Sequence, residues 1–342
     1  MFKRILYFSY YLKDLDRKKF RLFLNKVKTQ TGKSTRSIIT DIIQSVFQYN
    51  ISILEYFQFH FYELPKEERK TYAGTGYMYE YQLKMNPKSS RSVLEDKLVF
   101  LDKYSKFIHH GHASLTELEN NPAVAAKLLA NKSGKLVFKN AHGQCGNGIE
   151  VMKTDGLSQQ MIIDQLKKGG NDLVEEFVVQ HPDLMRLSPS GLNTIRIITQ
   201  LNDLDKVDII GARLRITINS SVDNLAAGNI AAPINVKTGK LEGPGVYSDI
   251  TREEEYLHPV TKTEIVGFKI PFWNDAIDMV IAAALNNKNN RSVGWDVAIS
   301  ESGPELIEGN HNWCKLLWQL PVKKGLKPLL EVYLGKYDQV VF

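Results

Sequence analysis

Cysteine is almost missing from this 342-residue sequence: Cys145 and Cys314 are its only two. Two thiols can form neither a disulfide framework nor a four-thiolate zinc site, so the chain reads as a protein of a reducing compartment and is expected to be cytoplasmic. Long apolar runs are missing too. The opening MFKRILYFSYYLKDLDRKKF is aromatic and basic, but charge interrupts it well before the roughly 18 apolar residues of a membrane span, and it lacks the make-up of a signal peptide. Internal repeats, low-complexity tracts and interleaved aromatic and basic residues are likewise absent, so no nucleic-acid partner is expected. Acidic residues are scarce at the N-terminus, where residues 1–45 hold eleven Lys/Arg against three Asp/Glu. That net of +8, set against +6 for the whole chain, leaves −2 for the remainder. The basic segment suits a solvated helical face, or contact with an anionic membrane or an acidic polymer.

What is present is the mix of an ordinary soluble globular protein, long enough for two or three lobes. Its organising stretch is VGWDVAISESGPELIEGN, residues 293–310. Two apolar runs, Val297-Ala298-Ile299 and Leu306-Ile307, flank Ser302-Gly303-Pro304, which predicts a β-hairpin. Asp296 opens the first run, Glu308 closes the second, and Asn310 follows. Antiparallel pairing brings the three oxygen-bearing side chains to one end, as a hard divalent cation requires.

Taken in order, residues 1–90 read as helical, with Ile38, Ile42 and Val46 at helical spacing and an aromatic-rich stretch over 51–62. Gly, Ser, Asn and Pro between 71 and 90 suggest a connection between lobes. A smaller lobe is expected over 91–182, with Lys103 on a short helix near its start, one helix over 116–129, and KLVFK (135–139) as a strand. The glycine-rich loop NAHGQCGNG (140–148) comes next, then the strand IEVMK (149–153). Gly143, Gly146 and Gly148 allow successive backbone N–H groups to turn toward one anion, with Lys139 beside them. The loop is not a Walker A motif, and no helix follows it as a Rossmann unit demands. DLVEEFVVQ (172–180) reads as a strand with adjacent carboxylates, one of which must point inward and find a partner.

A larger lobe is expected over 183–342, an antiparallel sheet with a helix over 274–285 packed on it. Arg196 in TIRII, and Arg213 and Arg215 in GARLRIT, are arginines among apolar residues, costly to bury unless they meet an anion. Arg213 and Arg215 share a strand face, and the loop with Asp223-Asn224 and Gly228-Asn229 is placed to close over a second substrate. His109, His110 and His112 read as surface histidines, while His258 and His311 are candidates to touch an acceptor.

In this order, Lys139, the glycine-rich loop, EEFV, the arginine strands and the D…E-x-N hairpin resemble the ATP-grasp superfamily. LNTIRIIT, DNLAAGNIAAPIN, HPVT, GWDVAIS and PELIEGN resemble its sugar-transfer-associated branch, related to teichuronopeptide-biosynthesis proteins. The resemblance covers roughly residues 90–320. It implies an α+β ATP-grasp fold in which two lobes clamp ATP, preceded by a helical segment. It also implies a carboxylate–amine ligase that makes an amide through an acyl phosphate in polysaccharide or sugar-conjugate synthesis, with a uronic acid and an amino acid as candidate substrates. A phosphotransferase acting on a sugar hydroxyl and a non-catalytic nucleotide-binding module are the alternatives. Carried over, Lys103 and Lys139 would hold the α- and β-phosphates, and Gly143, Gly146 and Gly148 would cover the β- and γ-phosphates. Glu175, Glu176, Phe177 and Val178 would seat the adenine, with Gln180 or His181 near the ribose. Asp296, Glu308 and Asn310 would hold one or two Mg²⁺, or Mn²⁺ in their place, and Arg196 and Arg213 would stabilise the transferred phosphoryl group.

Overall fold

The alternating pattern of the last third of the chain builds the sheet on which everything else rests. The computed structural model describes residues 2–143 and 148–335, so Gly146 of the expected anion loop lies outside the described residues. The described strands are β1 (His112–Ser114), β2 (Lys135–Lys139), β3 (Glu150–Lys153), β4 (Leu173–Glu176), β5 (Ile195–Leu201), β6 (Val207–Ile216), β7 (Ile230–Pro233), β8 (Ser292–Ser300) and β9 (Gly303–Asn310). They form a four-stranded sheet, β1-β4-β2-β3, and a five-stranded sheet, β7-β6-β5-β8-β9. All neighbours pair antiparallel, as runs separated by short turns should.

Period-2 alternation gives the five-stranded sheet two different faces. One buries Ile195, Ile197, Leu214, Trp295 and Val297 against Ala276, Val280 and Ala283 of helix Trp273–Asn286. The other carries Arg196, Arg213, Arg215 and Asp296, and is covered at one end by a cluster of Ile198, Met78, Tyr81, Met85, Trp313 and Trp318. This corrects the expectation of a connection over 71–90. Thr75–Met85 is a helix whose apolar side roofs the sheet, because Met78, Tyr81 and Met85 recur at helical spacing despite the glycines around them.

In the four-stranded sheet, Leu136, Phe138 and Val174 pack on Leu118, Leu128, Ile162 and Leu166. The expected single helix over 116–129 is two, Leu115–Asn120 and Pro122–Leu129, because Pro122 cannot continue a helix but can start one, and Asn121 caps it through Ala123 N–H at 3.1 Å. The expected strand over 172–180 is continuous only through Leu173–Glu176, with Gln180 forming an isolated bridge to Ser300.

The basic N-terminal helices, Phe2–Lys13, Arg17–Thr31 and Thr35–Tyr49, enclose a separate aromatic core with Ile53–Gln58. Glu55 ties it to the rest. Its carboxylate closes a capping box with Ser52, accepts from Thr75 and is ion-paired with Lys315 at 3.0 Å.

Candidate active site

Strand register assembles the site floor. Antiparallel pairing sets Arg196 opposite Asp296 on β8, and Asp296 opposite Glu308 on β9. Asp296 therefore lies mid-strand rather than at a strand start, and it is 1% exposed. Its Oδ1 accepts from Arg196 Nε, and its Oδ2 accepts from Arg196 Nη2 at 2.9 Å and from Arg215 Nη2 at 2.7 Å. Gly294, on the same strand face, leaves room for this: a Cβ there would lie 2.6 Å from the Trp313 Cβ and 3.0 Å from the Arg196 Cδ. Arg215 also meets Asp223 at 3.2 Å, and the N–H and hydroxyl of Thr194 donate to the same Asp223 carboxylate at 3.0 and 2.5 Å.

The electrostatics divide the carboxylates. Burial works to raise the Asp296 carboxyl, but Arg196 and Arg215 outweigh it and hold the group well below the usual carboxylate range. Glu308 is pushed up, first by burial and then by the charge of Asp296, to which it is hydrogen-bonded. Asn310 Nδ2 lies 3.1 Å from Glu308 Oε1. Two carboxylates in contact, with an amide beside them, fit a cation that would offset the repulsion between Asp296 and Glu308. Among the described residues no three His, Cys, Asp or Glu side chains are arranged to hold a metal ion by themselves. The remaining positions of Asp296, Glu308 and Asn310 as a metal set would thus fall to water and phosphate oxygens, which is how Mg²⁺ is ordinarily held.

Opposite this floor stands Lys97, which sequence reasoning missed. Its Nζ donates to the carbonyls of Asn140 at 3.2 Å, Ala141 at 3.4 Å and Gly143, so it braces the start of the glycine-rich loop. Burial pushes the ammonium down while Glu308 and Glu175 draw it up and Lys139 opposes it, so charges of both lobes reach this one side chain. A signal was available. Asp96 caps the helix Lys97–Lys103, and a side chain at a helix's first position leans back toward its N-terminus, here toward the loop. Lys103, at the other end of that helix, is exposed, with its carbonyl accepting from Asn286 at 3.0 Å, and the structure does not bring it to the site.

Lys139 ends β2 as expected and is ion-paired with the buried Glu175. Glu175 is thus the inward carboxylate of the pair and its partner is a lysine. Glu176 stands at the strand end against Gly111. Phe177 N–H donates to the Lys135 carbonyl at 3.2 Å, and Phe177 and Val178 lie in irregular backbone between the lobes. Gly143 and Gly148 flank the loop, Gly148 with φ of +73°.

Three expectations are corrected. Arg213 shares the face of Arg196, but its guanidinium donates to the carbonyls of Trp318 and Ala212. Gly211 lets Trp318 close in, since a Cβ there would lie 2.8 Å from its Nε1, and Arg215 takes the position at Asp296 instead. Gln180 is spent on structure: its amide donates to Ser188 and Gly191 carbonyls at 2.9 and 3.1 Å, and its oxygen accepts from Asn193 N–H and Nδ2 at 3.0 and 2.9 Å. His181 caps helix Pro182–Leu187 by accepting from Asp183 N–H at 3.1 Å. The histidines also differ. His258 is buried, bridging the Thr217 carbonyl and the N–H of Thr261, and His311 meets Glu95 at 3.0 Å. His110, expected on the surface, is buried between Glu305 and Glu175.

No curated protein matches the chain. Among solved structures it is similar to the ATP-grasp ligase PsnB complexed with minimal precursor (10% identity, TM-score 0.45, 74% of this chain and 63% of that one). It is also similar to a biotin carboxylase from Campylobacter jejuni (11% identity, TM-score 0.45, 71% and 47%) and to D-alanine–D-alanine ligase from Bacillus anthracis (13% identity, TM-score 0.41, 72% and 69%). The chain thus spans less than two thirds of the PsnB chain. Residues 77–333 match the model of sugar-transfer associated ATP-grasp proteins, and with three quarters of its length inside that model the chain belongs to this family.

Proposed function

We propose that this chain is an ATP-dependent ligase that joins a carboxylate to an amine, acting in the assembly of a polysaccharide or sugar conjugate. The observation that carries the reading is the pair of buried Asp296 and half-buried Glu308, with Asn310 beside it and two arginines beneath, facing Lys97 and Lys139 across the lobes. Positive groups on both sides of a cation site suit a triphosphate, and phosphoryl transfer depends mainly on positioning and electrostatics.

Asp296, Glu308 and Asn310 would hold Mg²⁺, which neutralises charge on the β- and γ-phosphates when bound. Lys97 and Lys139 would bind phosphate oxygens, and the loop 140–148 would cover them. An oxygen of the acceptor carboxylate attacks the γ-phosphorus, the bond to ADP breaks, and an acyl phosphate forms. An amine then attacks the acyl carbon, phosphate departs and the amine loses a proton. Arg196 and Arg215, which pair with Asp296, rather than Arg213, would be the guanidinium groups near the transferred group. Glu176, Phe177 and Val178 line the connector expected to seat adenine.

The test is ADP release with Mg²⁺ and paired uronic-acid and amino-acid substrates, with product analysis. Amide formed only when both substrates are present supports the ligase. A stable phosphorylated sugar formed without amine would overturn it in favour of kinase chemistry.

A further inference from the structure

His110 sits where the two sheets meet. Its Nδ1 lies 2.7 Å from Oε2 of Glu305 on β9, and that oxygen also accepts from the backbone N–H groups of His109 and His110 at 3.0 and 3.1 Å. Its Nε2 is buried without a hydrogen-bond partner and lies 3.9 Å from Oε2 of Glu175 on β4. That is the same oxygen to which Lys139 donates. The groups facing the ring are Glu305, Glu175, Lys139 and the edge of His112, 6.2 Å away between ring centroids. Lys139 is ion-paired with Glu175, and Lys97 beyond it is turned to the carbonyls of Asn140 and Ala141, whereas the described ion pair of Glu305 is with His110, so an imidazolium supplies the counter-charge of Glu305. Burial pushes the imidazole down, yet the two carboxylates raise it above the ordinary histidine value.

The arrangement has a consequence for Lys139. If the Lys139 ammonium turns away from Glu175 to a phosphate, the buried carboxylate loses its hydrogen-bonded cation, which is strongly unfavourable unless another group takes its place. We propose that His110, protonated on both ring nitrogens, is a positioning residue that takes over Glu175 when Lys139 turns to the phosphates of the nucleotide. This rests on the reading of Lys139 as a phosphate ligand. His110 would thereby couple nucleotide binding to the contact between β4 and β9.

The test is calorimetric titration of the full chain with Mg·ADP between pH 7 and 9, for the wild type and His110→Gln, with the histidine ring nitrogens of the wild type followed by NMR. Wild-type affinity is expected to fall by up to about tenfold per pH unit above the imidazole pKa, since one proton is then required for binding. In His110→Gln that slope should disappear. In the wild-type spectrum, Mg·ADP should shift His110 Nε2 to a hydrogen-bonded position, a readout that needs no variant to fold. A wild type that binds Mg·ADP with the same pH slope as His110→Gln, or an unmoved Nε2 signal, overturns the proposal alone. A wild type that binds no Mg·ADP at any pH overturns the nucleotide reading, and this proposal with it.

Discussion

Asp296 and Glu308 are neighbours in the proposed cation site, yet the structure gives them opposite roles in stability, and substituting each in turn separates the two. Asp296→Asn removes the counter-charge of two buried guanidinium groups, Arg196 and Arg215. Breaking a buried ion pair by removing one partner costs about 3–5 kcal/mol. Arg215 retains Asp223, whereas Arg196 has its two described bonds to Asp296 alone, so the lower half of that range is expected. Glu308→Gln instead removes a carboxyl that burial and Asp296 already disfavour as a charge. Its expected effect on stability is within about 1 kcal/mol and of either sign. Thermal unfolding of the Mg²⁺-free proteins at pH 7.5 should therefore show a drop of about 5 °C for Asp296→Asn and little change for Glu308→Gln. Both should lose Mg²⁺-dependent ADP release. Equal destabilisation by the two variants would refute the division of charge, and full turnover by Glu308→Gln would refute the cation site.

Lys97→Met should weaken Mg·ADP binding roughly ten- to a hundredfold, the value of a charge-assisted contact, while Lys103→Met stays within about twofold of wild type in the same titration. Arg213→Met should lower stability by about 1–3 kcal/mol in urea unfolding, because the Trp318 carbonyl loses its donors, with the KM for ATP unchanged; a raised KM would return Arg213 to the site. Glu55 is buried yet held below its ordinary value: burial raises it, while Lys315 and the amides of Ser52 and Thr75 lower it further. Its stabilisation is present in full above the unfolded value of 4.5 and lost as pH falls through the folded one. Lys315 is raised above 10.5, so its share is lost only as pH rises through the folded value, and the pair is constant between. Acid titration of tryptophan fluorescence should show loosening of the N-terminal helices below about pH 4.5, and the same acid profile in Glu55→Gln would remove Glu55 as the cause.

Local patterning made much of the fold legible. The hairpin over 293–310, the strands bearing Arg196 and Arg215, helix Trp273–Asn286 and the strand–loop–strand around 140–148 all rest on periodicity and turn residues, which act over a few positions. The stretch over 71–90 misleads because its two glycines and Pro87 read as a linker, although Met78, Tyr81 and Met85 keep a helical stripe that only the sheet beneath makes meaningful.

The sequence by itself determined which residues could do chemistry: the E-x-N hairpin, the arginines inside apolar strands, and the lysine beside a glycine-rich loop. It also set which of them share a strand face, since side-chain alternation is a property of the backbone. Tertiary structure decided which of them meet. Arg213 and Arg215 are equivalent by alternation, and the Trp318 carbonyl, more than a hundred residues away, takes one and leaves Asp296 to the other. Lys97 and Lys103 are two lysines of one helix, separated by which end faces the loop. Gln180 became a structural brace because Asn193 and Ser188 enclose it, and His110 became buried because β4 and β9 converge there. Alternation and turn chemistry act between near neighbours in the chain, whereas charge pairing and burial act between neighbours in space, and the second set is known only when the chain has folded.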